Sequence, residues 1–316
     1  MSDKSLSVVV PVYNGALTLK PLLQRLIPVL KELVSHYEII LVNDGSSDQS
    51  WQKIEALAQE YAAVRGINMM RNYGQHNVLL CGIRAAHYEL IVTMDDDLQH
   101  LPEEIPKLLD KLSEGNDIVY GLPKELPHSC WRNFFSRLIK RLLTSLIGVR
   151  NFSGFSAFRA FRSEVRDAFS GYNNPDVNID VLISWGTTRF AAVFVSHSPL
   201  EIGKSNYTFR KLFNVAMQVI TTFSTAPLRI ASLVGFSFVL FGFVIFSYVV
   251  YVYFFLNSVP GFPFLVSIIA LFSGAQLFAL GIIGEYLAKI FLRSMNQPPY
   301  LVRETTDISC EERRWP

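Results

Sequence analysis

Charge is scarce in this chain. Of its 316 residues, 18% are Asp, Glu, Lys or Arg, against about 25% in an ordinary soluble domain. None of them, and no histidine, falls between Ile230 and Gly284, a run of 55 residues. With 50% hydrophobic residues and a mean hydropathy of +0.26, the chain is neither a disordered protein nor a coiled coil. Cysteine is scarce too. Cys81, Cys130 and Cys310 lie far apart with no CxxC pair, which excludes a zinc ribbon and a disulfide framework and fits a reducing compartment. The net charge of +2 leaves no electrostatic footprint for nucleic acid. Walker A and GxGxxG motifs are absent, so neither a P-loop ATPase nor a nicotinamide enzyme is indicated. The six histidines are scattered without metal-ligand spacing. The apolar stretch in MSDKSLSVVVPVYN is short and runs into Pro11, so it reads as a strand and not as a signal peptide.

The uncharged run is long enough for two bilayer crossings, each of which takes about 20 apolar residues. A turn-forming cluster, Asn257-Ser258-Val259-Pro260-Gly261-Phe262-Pro263, divides it. One span is expected from about Leu228 to Leu256 and a second from about Phe264 to Ile290. The connecting loop has no Lys or Arg, whereas Lys204, Arg210, Lys211 and Arg229 precede the pair and Lys289, Arg293 and Arg303 follow it. The positive-inside rule then puts both flanks, and both termini, in the cytoplasm. A buried soluble helical hairpin is the alternative. The expected location is the inner (cytoplasmic) membrane, multi-pass, with the amino-terminal part in the cytoplasm.

The first 200 residues alternate between apolar runs and helical spacing. Leu6–Val12, Glu38–Val42, Val64–Met69 and Leu90–Met94 read as strands. Leu17, Leu22, Leu23, Leu26, Ile27, Leu30 and Leu33 mark a first helix containing Pro28, and Asp48–Tyr61, His76–Ala86 and Pro102–Leu112 read as further helices. This alternation implies an α/β fold: a mostly parallel sheet with helices on both faces, which binds ligands at the carboxyl ends of its strands. Those ends carry Tyr13-Asn14, Asn43 to Asp48, Arg71-Asn72-Tyr73-Gly74 and Asp95-Asp96-Asp97. Trp131–Arg150 is basic, acid-free and interleaved with apolar residues. It reads as an amphipathic helix for a membrane interface, the alternative being an ordinary surface helix packed on the sheet. Tyr207–Thr225, which leads into the first span, is a second such candidate.

The three consecutive aspartates are either a solvated turn or a site for a hard cation. In extended backbone, residues i and i+2 project the same way. Asp95 and Asp97 are therefore expected to converge on one ion with Gln99 as a neutral oxygen, and Asp96 to point elsewhere. Mg²⁺ usually takes one or two carboxylates together with substrate phosphates, so the pattern suits a diphosphate leaving group.

VPVYN (Val10–Asn14), VNDGSSD (Val42–Asp48), RNYG (Arg71–Gly74) and MDDDLQH (Met94–His100) resemble glycosyltransferase family 2. Within it they resemble the polyprenyl-phosphate glycosyltransferases, as do IGKSNYTFRKL (Ile202–Leu212) and STAPLRIASLVG (Ser224–Gly235) at the junction with the apolar pair. The resemblance runs to about Ile290. It implies a GT-A (Rossmann-like) nucleotide-sugar-binding domain over residues 1-200, an acceptor loop and juxtamembrane helix over 201-227, a two-helix transmembrane hairpin over 228-292 and a cytoplasmic tail over 293-316. The implied donor is a nucleotide sugar, the acceptor a polyprenyl phosphate such as undecaprenyl phosphate, and the cofactor Mg²⁺ or Mn²⁺. Asp95 and Asp97 become the catalytic acids, holding metal and diphosphate with Gln99. Pro11, Tyr13, Asn14, Asp44, Arg71 and Asp96 would bind the nucleotide sugar, with Asp44 at the base. Lys204, Ser205 and Tyr207 would lie in a loop that covers the active site or receives the acceptor phosphate, and Arg159, following in FRAFR with Arg162, is a further candidate to supply charge for that phosphate. Family members often assemble through their membrane helices, so a homo-oligomer is compatible with this reading.

Three positions depart from the family pattern. Gly15 stands where Glu often follows VPVYN, Asn151 lies in the segment before Ser153-Gly154-Phe155 where an acid is common, and Leu200 stands where an arginine often precedes GKS. A phosphate acceptor tolerates the loss of an acid. Its second pKa is near 6, so it is already largely dianionic at neutral pH, whereas a sugar hydroxyl needs a base. Two rivals stay open on sequence alone: the same fold acting on a glycolipid or polysaccharide, and a degenerate, non-catalytic membrane scaffold.

Overall fold

The computed structural model describes residues 5–123, 154–198, 225–256 and 261–306. The expected basic helix at 131–150, Asn151, Leu200, and the acceptor-loop residues Lys204, Ser205 and Tyr207 lie outside them. The chain divides into two compact units, Met1–Asn206 with Gln297–Pro316, and Tyr207–Asn296.

The first unit begins with β1 (Ser5–Val12), α1 (Leu19–Leu33), β2 (His36–Asn43), α2 (Ser50–Glu60), β3 (Val64–Met69), α3 (Gln75–Ala85) and β4 (Leu90–Thr93). A 3-10 turn, Pro102–Glu104, leads into α4 (Ile105–Ser113), followed by β5 (Ile118–Pro123), β6 (Arg159–Arg162), α5 (Glu164–Asp167), α6 (Ile179–Ser184) and β7 (Phe190–Val195). The second unit holds two long helices, α7 (Ala226–Leu256) and α8 (Phe262–Ser294), and β8 (Val302–Thr305) follows in the first unit.

One eight-stranded sheet runs β7-β5-β6-β4-β1-β2-β3-β8. The expected parallel core is present: β1 pairs in parallel with β2 and β4, and β2 with β3. The other half is mixed, because β6 runs antiparallel to both β4 and β5. β1 shows why the core strands read as continuous apolar runs. Leu6, Val8, Val10 and Val12 point into one core layer with α1 and α4, while Val9 points into the other with α3 and α6. A strand buried on both faces needs apolar side chains at every position. Helix α1 buries Leu19, Leu22, Leu23, Leu26, Ile27 and Leu30, spaced for one helical face, and Pro28 lies within it. Leu17, read as part of that stripe, instead precedes the helix and is 78% exposed.

The segment after Arg293, expected to be a separate polar tail, returns to the sheet. β8 pairs antiparallel with β3, Met70 N–H donates to the Leu301 carbonyl at 2.9 Å, and Asn77 donates to the Pro299 carbonyl at 2.6 Å.

In the second unit, Pro227–Tyr248 and Leu271–Ser294 have mean hydropathies of 2.3 and 1.5. Both are long and apolar enough to cross a membrane. In the most apolar 18-residue stretch of each, 6% and 0% of the residues are buried in protein, unlike the core helix of a soluble domain. The two helices pack on each other through contacts such as Phe238 against Phe272, ring centroids 5.7 Å apart.

One buried charge cluster ties the amino ends of the core strands together. Glu38 accepts from Ser7 Oγ at 2.6 Å, from the His87 amide at 2.7 Å and from Arg65 Nη1 at 2.8 Å. Burial alone would raise its pKa, but these bonds outweigh it and hold the carboxyl below its ordinary value. An acid with a depressed folded-state pKa stabilises the fold above its unfolded pKa of about 4.3 and loses that contribution as pH falls through the folded value. Glu38→Gln is therefore expected to cost about 2–4 kcal/mol at pH 7 and to flatten the fall in stability below about pH 4. Thermal unfolding followed by tryptophan fluorescence across pH 3–7 measures both effects.

Candidate active site

At the carboxyl ends of β1, β2 and β4 lies a cavity of about 350 Å³, lined by Pro11, Val12, Tyr13, Asp44, Asn72, Gly74, Gln75, Val78, Asp95, Asp96 and Asp97. Each wall comes from a loop that the strand pattern marks out. After β1 the chain turns through Asn14, whose φ of 55° is one that asparagine tolerates better than most residues. The turn is held from both sides: Asn14 N–H donates to Ser46 Oγ at 2.9 Å, and its Oδ1 accepts from the Ser47 amide at 2.9 Å. Next to it, Gly15 N–H donates to Ser50 Oγ at 2.9 Å.

Asp44 is 4% exposed, and its two oxygens accept from the amides of Tyr73 at 2.7 Å and Gly74 at 3.0 Å. It thereby fixes the RNYG loop against the end of β2. Burial raises its pKa, with the two amides pulling the other way. Gly45 lets these loops touch: its φ is 61°, and a Cβ there would lie 2.6 Å from the backbone carbon of Arg71. Arg71 itself stacks on the Tyr73 ring, 4.8 Å from its centroid, and does not line the cavity.

The acidic wall differs from the expected geometry. β4 ends at Thr93, and the chain bends over residues 96–98, with Leu98 at a φ of 62°. The alternation of an extended strand therefore does not apply, and Asp96 faces the cavity with its neighbours. Asp95 Oδ1 accepts from Gln75 Nε2 at 2.6 Å, and Asp97 Oδ1 from the Gln99 amide at 3.0 Å. Burial, then repulsion from Asp97, raises the Asp95 pKa to about 6. Burial, then Asp95 and Asp97, raises that of Asp96 to about 7. Asp96 Oδ2 is buried without a hydrogen-bond partner. It occupies the space a side chain at position 15 would need, since a Cβ on Gly15 would lie 2.0 Å from it. Gln99 supports the wall through its backbone, its carbonyl accepting from the Ser198 amide at 3.1 Å, and does not line the cavity.

Arg159 departs from the expected role in acceptor binding. It is 2% exposed, its guanidinium is paired with Asp180, and its Nε donates to Thr93 Oγ1 at 3.1 Å. Tyr120 Oη donates to the same Asp180 oxygen at 2.9 Å. A guanidinium committed to an internal carboxylate is not presented to a ligand at the surface. Beside this cluster, His100 stacks on Phe158 with ring centroids 5.3 Å apart, and burial, then His197, lowers its pKa to about 4.

Sequence reasoning brought Pro11, Tyr13, Asp44, Asp95, Asp96 and Asp97 to one cavity. It missed Gln75, which directly follows the RNYG motif, and the Arg159–Asp180–Tyr120 cluster. Among the described residues, no group of three or more His, Cys, Asp or Glu side chains is arranged to hold a metal by itself. The wall still suits a hard cation. Its donors are carboxylate oxygens, one of them unpartnered, and Mg²⁺-type sites draw the remaining ligands from substrate phosphate and water.

Comparison with known proteins identifies the family and the fold. The glycosyl transferase family 2 model matches residues 7–167. The chain belongs to glycosyl transferase family 2. It is similar over nearly its whole length to undecaprenyl-phosphate 4-deoxy-4-formamido-L-arabinose transferases. That of Shewanella sediminis is 36% identical, covering 94% of this chain and 91% of the relative. That of Proteus mirabilis is 34% identical, covering 96% and 94%. Among solved structures it resembles glucosyl-3-phosphoglycerate synthase from Mycobacterium tuberculosis. The complex of that enzyme with Mn²⁺ and uridine-diphosphate-glucose has a TM-score of 0.50 and 21% identity, covering 69% of this chain and 77% of that one. Its phosphoglyceric acid complex has a TM-score of 0.52 and 21% identity, covering 70% and 79%. The first unit has the GT-A fold, and the protein is a glycosyltransferase.

The cluster behind the acidic wall gives a direct test. Asp180→Ala leaves the Arg159 guanidinium buried without its counter-charge and is expected to cost about 3 kcal/mol. The double variant Arg159→Met/Asp180→Leu removes both charges and is expected to recover most of that loss, as read by thermal unfolding.

Proposed function

We propose that this glycosyltransferase moves a sugar from a nucleotide sugar to a polyprenyl phosphate, undecaprenyl phosphate in particular, with inversion at the anomeric carbon. The observation that carries the reading is the run of three aspartates on one wall of a cavity at the strand ends. Similarity to near-full-length undecaprenyl-phosphate transferases supports the acceptor, and the two apolar, solvent-exposed helices support an anchor in the inner membrane. In this reading the amino-terminal unit and both termini face the cytoplasm. Pro11, Tyr13, Asn14, Asp44 and the Arg71 loop bind the nucleotide. Lys204, Ser205 and Tyr207 stay the proposed acceptor-phosphate contacts.

The reaction is a displacement. An acceptor phosphate oxygen attacks the anomeric carbon, and the bond from that carbon to the donor diphosphate breaks with its electron pair on the departing nucleoside diphosphate. Asp95 and Asp97, with Gln99 behind them, would hold Mg²⁺ or Mn²⁺, which when bound neutralises charge on the diphosphate oxygens. Gln75 fixes the Asp95 carboxylate, and the Gln99 amide fixes that of Asp97. What remains for the protein is alignment of nucleophile and anomeric carbon, worth several kcal/mol of the barrier.

Two experiments test the reading. Asp97→Asn keeps the size of the side chain but removes a charge. It is expected to lower transfer at least about 100-fold with an unchanged unfolding temperature, while near-normal turnover would remove the metal assignment. With wild-type enzyme, radiolabelled donor and undecaprenyl phosphate should yield an acid-labile lipid-phosphate sugar; label found only in glycolipid or polysaccharide would name a different acceptor. Gly15 and Asp96 supply a further expectation. Asp96→Ala raises the donor KM, Gly15→Ala raises it as well by displacing the Asp96 carboxylate, and the double variant is no worse than Asp96→Ala alone.

A further inference from the structure

The strand that follows the second apolar helix is wired into the donor cavity. Glu304 on β8 accepts from Asn68 Nδ2 at 2.7 Å. Asn68 Oδ1 accepts from Asn43 Nδ2 at 2.8 Å, and Asn43 Oδ1 accepts from Ser46 Oγ at 2.5 Å and from the Ser46 amide at 3.4 Å. Ser46 Oγ in turn accepts from the Asn14 amide at 2.9 Å. The line crosses from the sheet edge through β3 and β2 to the turn after β1, next to Tyr13 in the cavity wall.

This line has a direction. A carboxylate only accepts hydrogen bonds, whereas a side-chain amide presents a donor at one end and an acceptor at the other. With Glu304 at the edge, Asn68 must turn its NH₂ outward and its oxygen inward. Asn43 must then give its NH₂ to Asn68 and its oxygen to Ser46. Both amides are buried, Asn68 6% and Asn43 2% exposed, so the bond between them is closed to water and only the outer end of the line, at the exposed Glu304, meets solvent. A flipped Asn43 would face the Ser46 amide donor with another donor.

We propose that Glu304 is a positioning residue for donor binding: it sets the orientation of the Asn68 and Asn43 amides and so holds the Ser46–Asn14 turn in place. The proposal rests on the reading of the cavity as a nucleoside-diphosphate site. Its consequence is that the segment after the helical hairpin is a working part of the donor site, absent from any version of the enzyme cut before the hairpin.

The test uses the full chain in detergent, titrated calorimetrically with UDP, GDP, CDP and ADP in the presence of Mn²⁺. For the nucleotide that wild type binds best, Glu304→Ala is expected to weaken binding roughly three- to tenfold, the loss of about one hydrogen bond's net contribution. Glu304→Gln, which still offers an acceptor to Asn68, should stay within about twofold of wild type. Thr306→Val is the control for edge-strand stability: it removes the hydroxyl that accepts from the Gly66 amide at 2.8 Å but touches no member of the line. It should lower the unfolding temperature without changing nucleotide affinity. Amide hydrogen exchange at Asn14 and Ser46 should quicken in Glu304→Ala and not in Thr306→Val. Unchanged affinity in Glu304→Ala, equal weakening in Thr306→Val, or no rescue by Glu304→Gln would each overturn the proposal while leaving the donor reading intact. Failure of wild type to bind any of the four nucleotides would overturn both.

Discussion

Mutual repulsion among three consecutive carboxylates is the constraint around which the first unit is arranged. Asp95, Asp96 and Asp97 share one wall, where burial, then the acidic neighbours, raises the pKa values of Asp95 and Asp96. Protein groups answer this only in part. Gln75 reaches Asp95, one backbone amide reaches Asp97, and Asp96 keeps an unpartnered buried oxygen. Burying charge without full compensation is expensive in a finished protein and is usually found where a ligand completes the set. The cavity is thus built with a deficit of positive charge that a cation brought with a diphosphate would fill.

Holding such a wall in place requires rigidity behind it. The buried Arg159 takes no part in the wall itself but is committed to Asp180, Thr93 and, through Asp180, to Tyr120. Thr93 is the last residue of β4, two residues before the acidic run, so the cluster clamps the strand where it releases the chain into the bend. His100, stacked on Phe158 and kept neutral by its burial, closes the far end of the same bend. Asp44 performs a matching task on the opposite wall, where both of its oxygens are spent on the amides of one neighbouring loop.

How far this was legible from sequence follows the physics of each element. The strands and helices from β1 to α4 were readable because a two-sided parallel core demands continuous apolar runs, and α1 shows an unbroken helical stripe of leucines. The later strands carry weaker signals. β6 is four residues long and half arginine, and its antiparallel partners are set by long-range pairing that no local pattern encodes. β8 is short and polar because it lies at an edge, and its partner β3 is more than two hundred residues away in sequence. The acidic motif was legible as chemistry but not as geometry: the alternation rule holds in a strand, and β4 stops before the first aspartate. Arg159 was misread because sequence shows a basic residue but not the Asp180 that neutralises it.

The composition of the cavity also bears on what can be glycosylated. Its carboxylates among the described residues are Asp44, Asp95, Asp96 and Asp97. Asp44 is spent on two backbone amides, and Asp95 and Asp97 suit a cation bound with the diphosphate. Asp96 lies in the corner that Gly15, lacking a side chain, leaves open. A hydroxyl acceptor would need a base to take up its proton as it attacks. A phosphate acceptor is mostly dianionic at neutral pH, with a second pKa near 6, and asks only to be aligned. Three of the four acids thus have partners or a cation to hold, Asp96 keeps its unpartnered oxygen, and a nucleophile that arrives with its own charge calls on none of them.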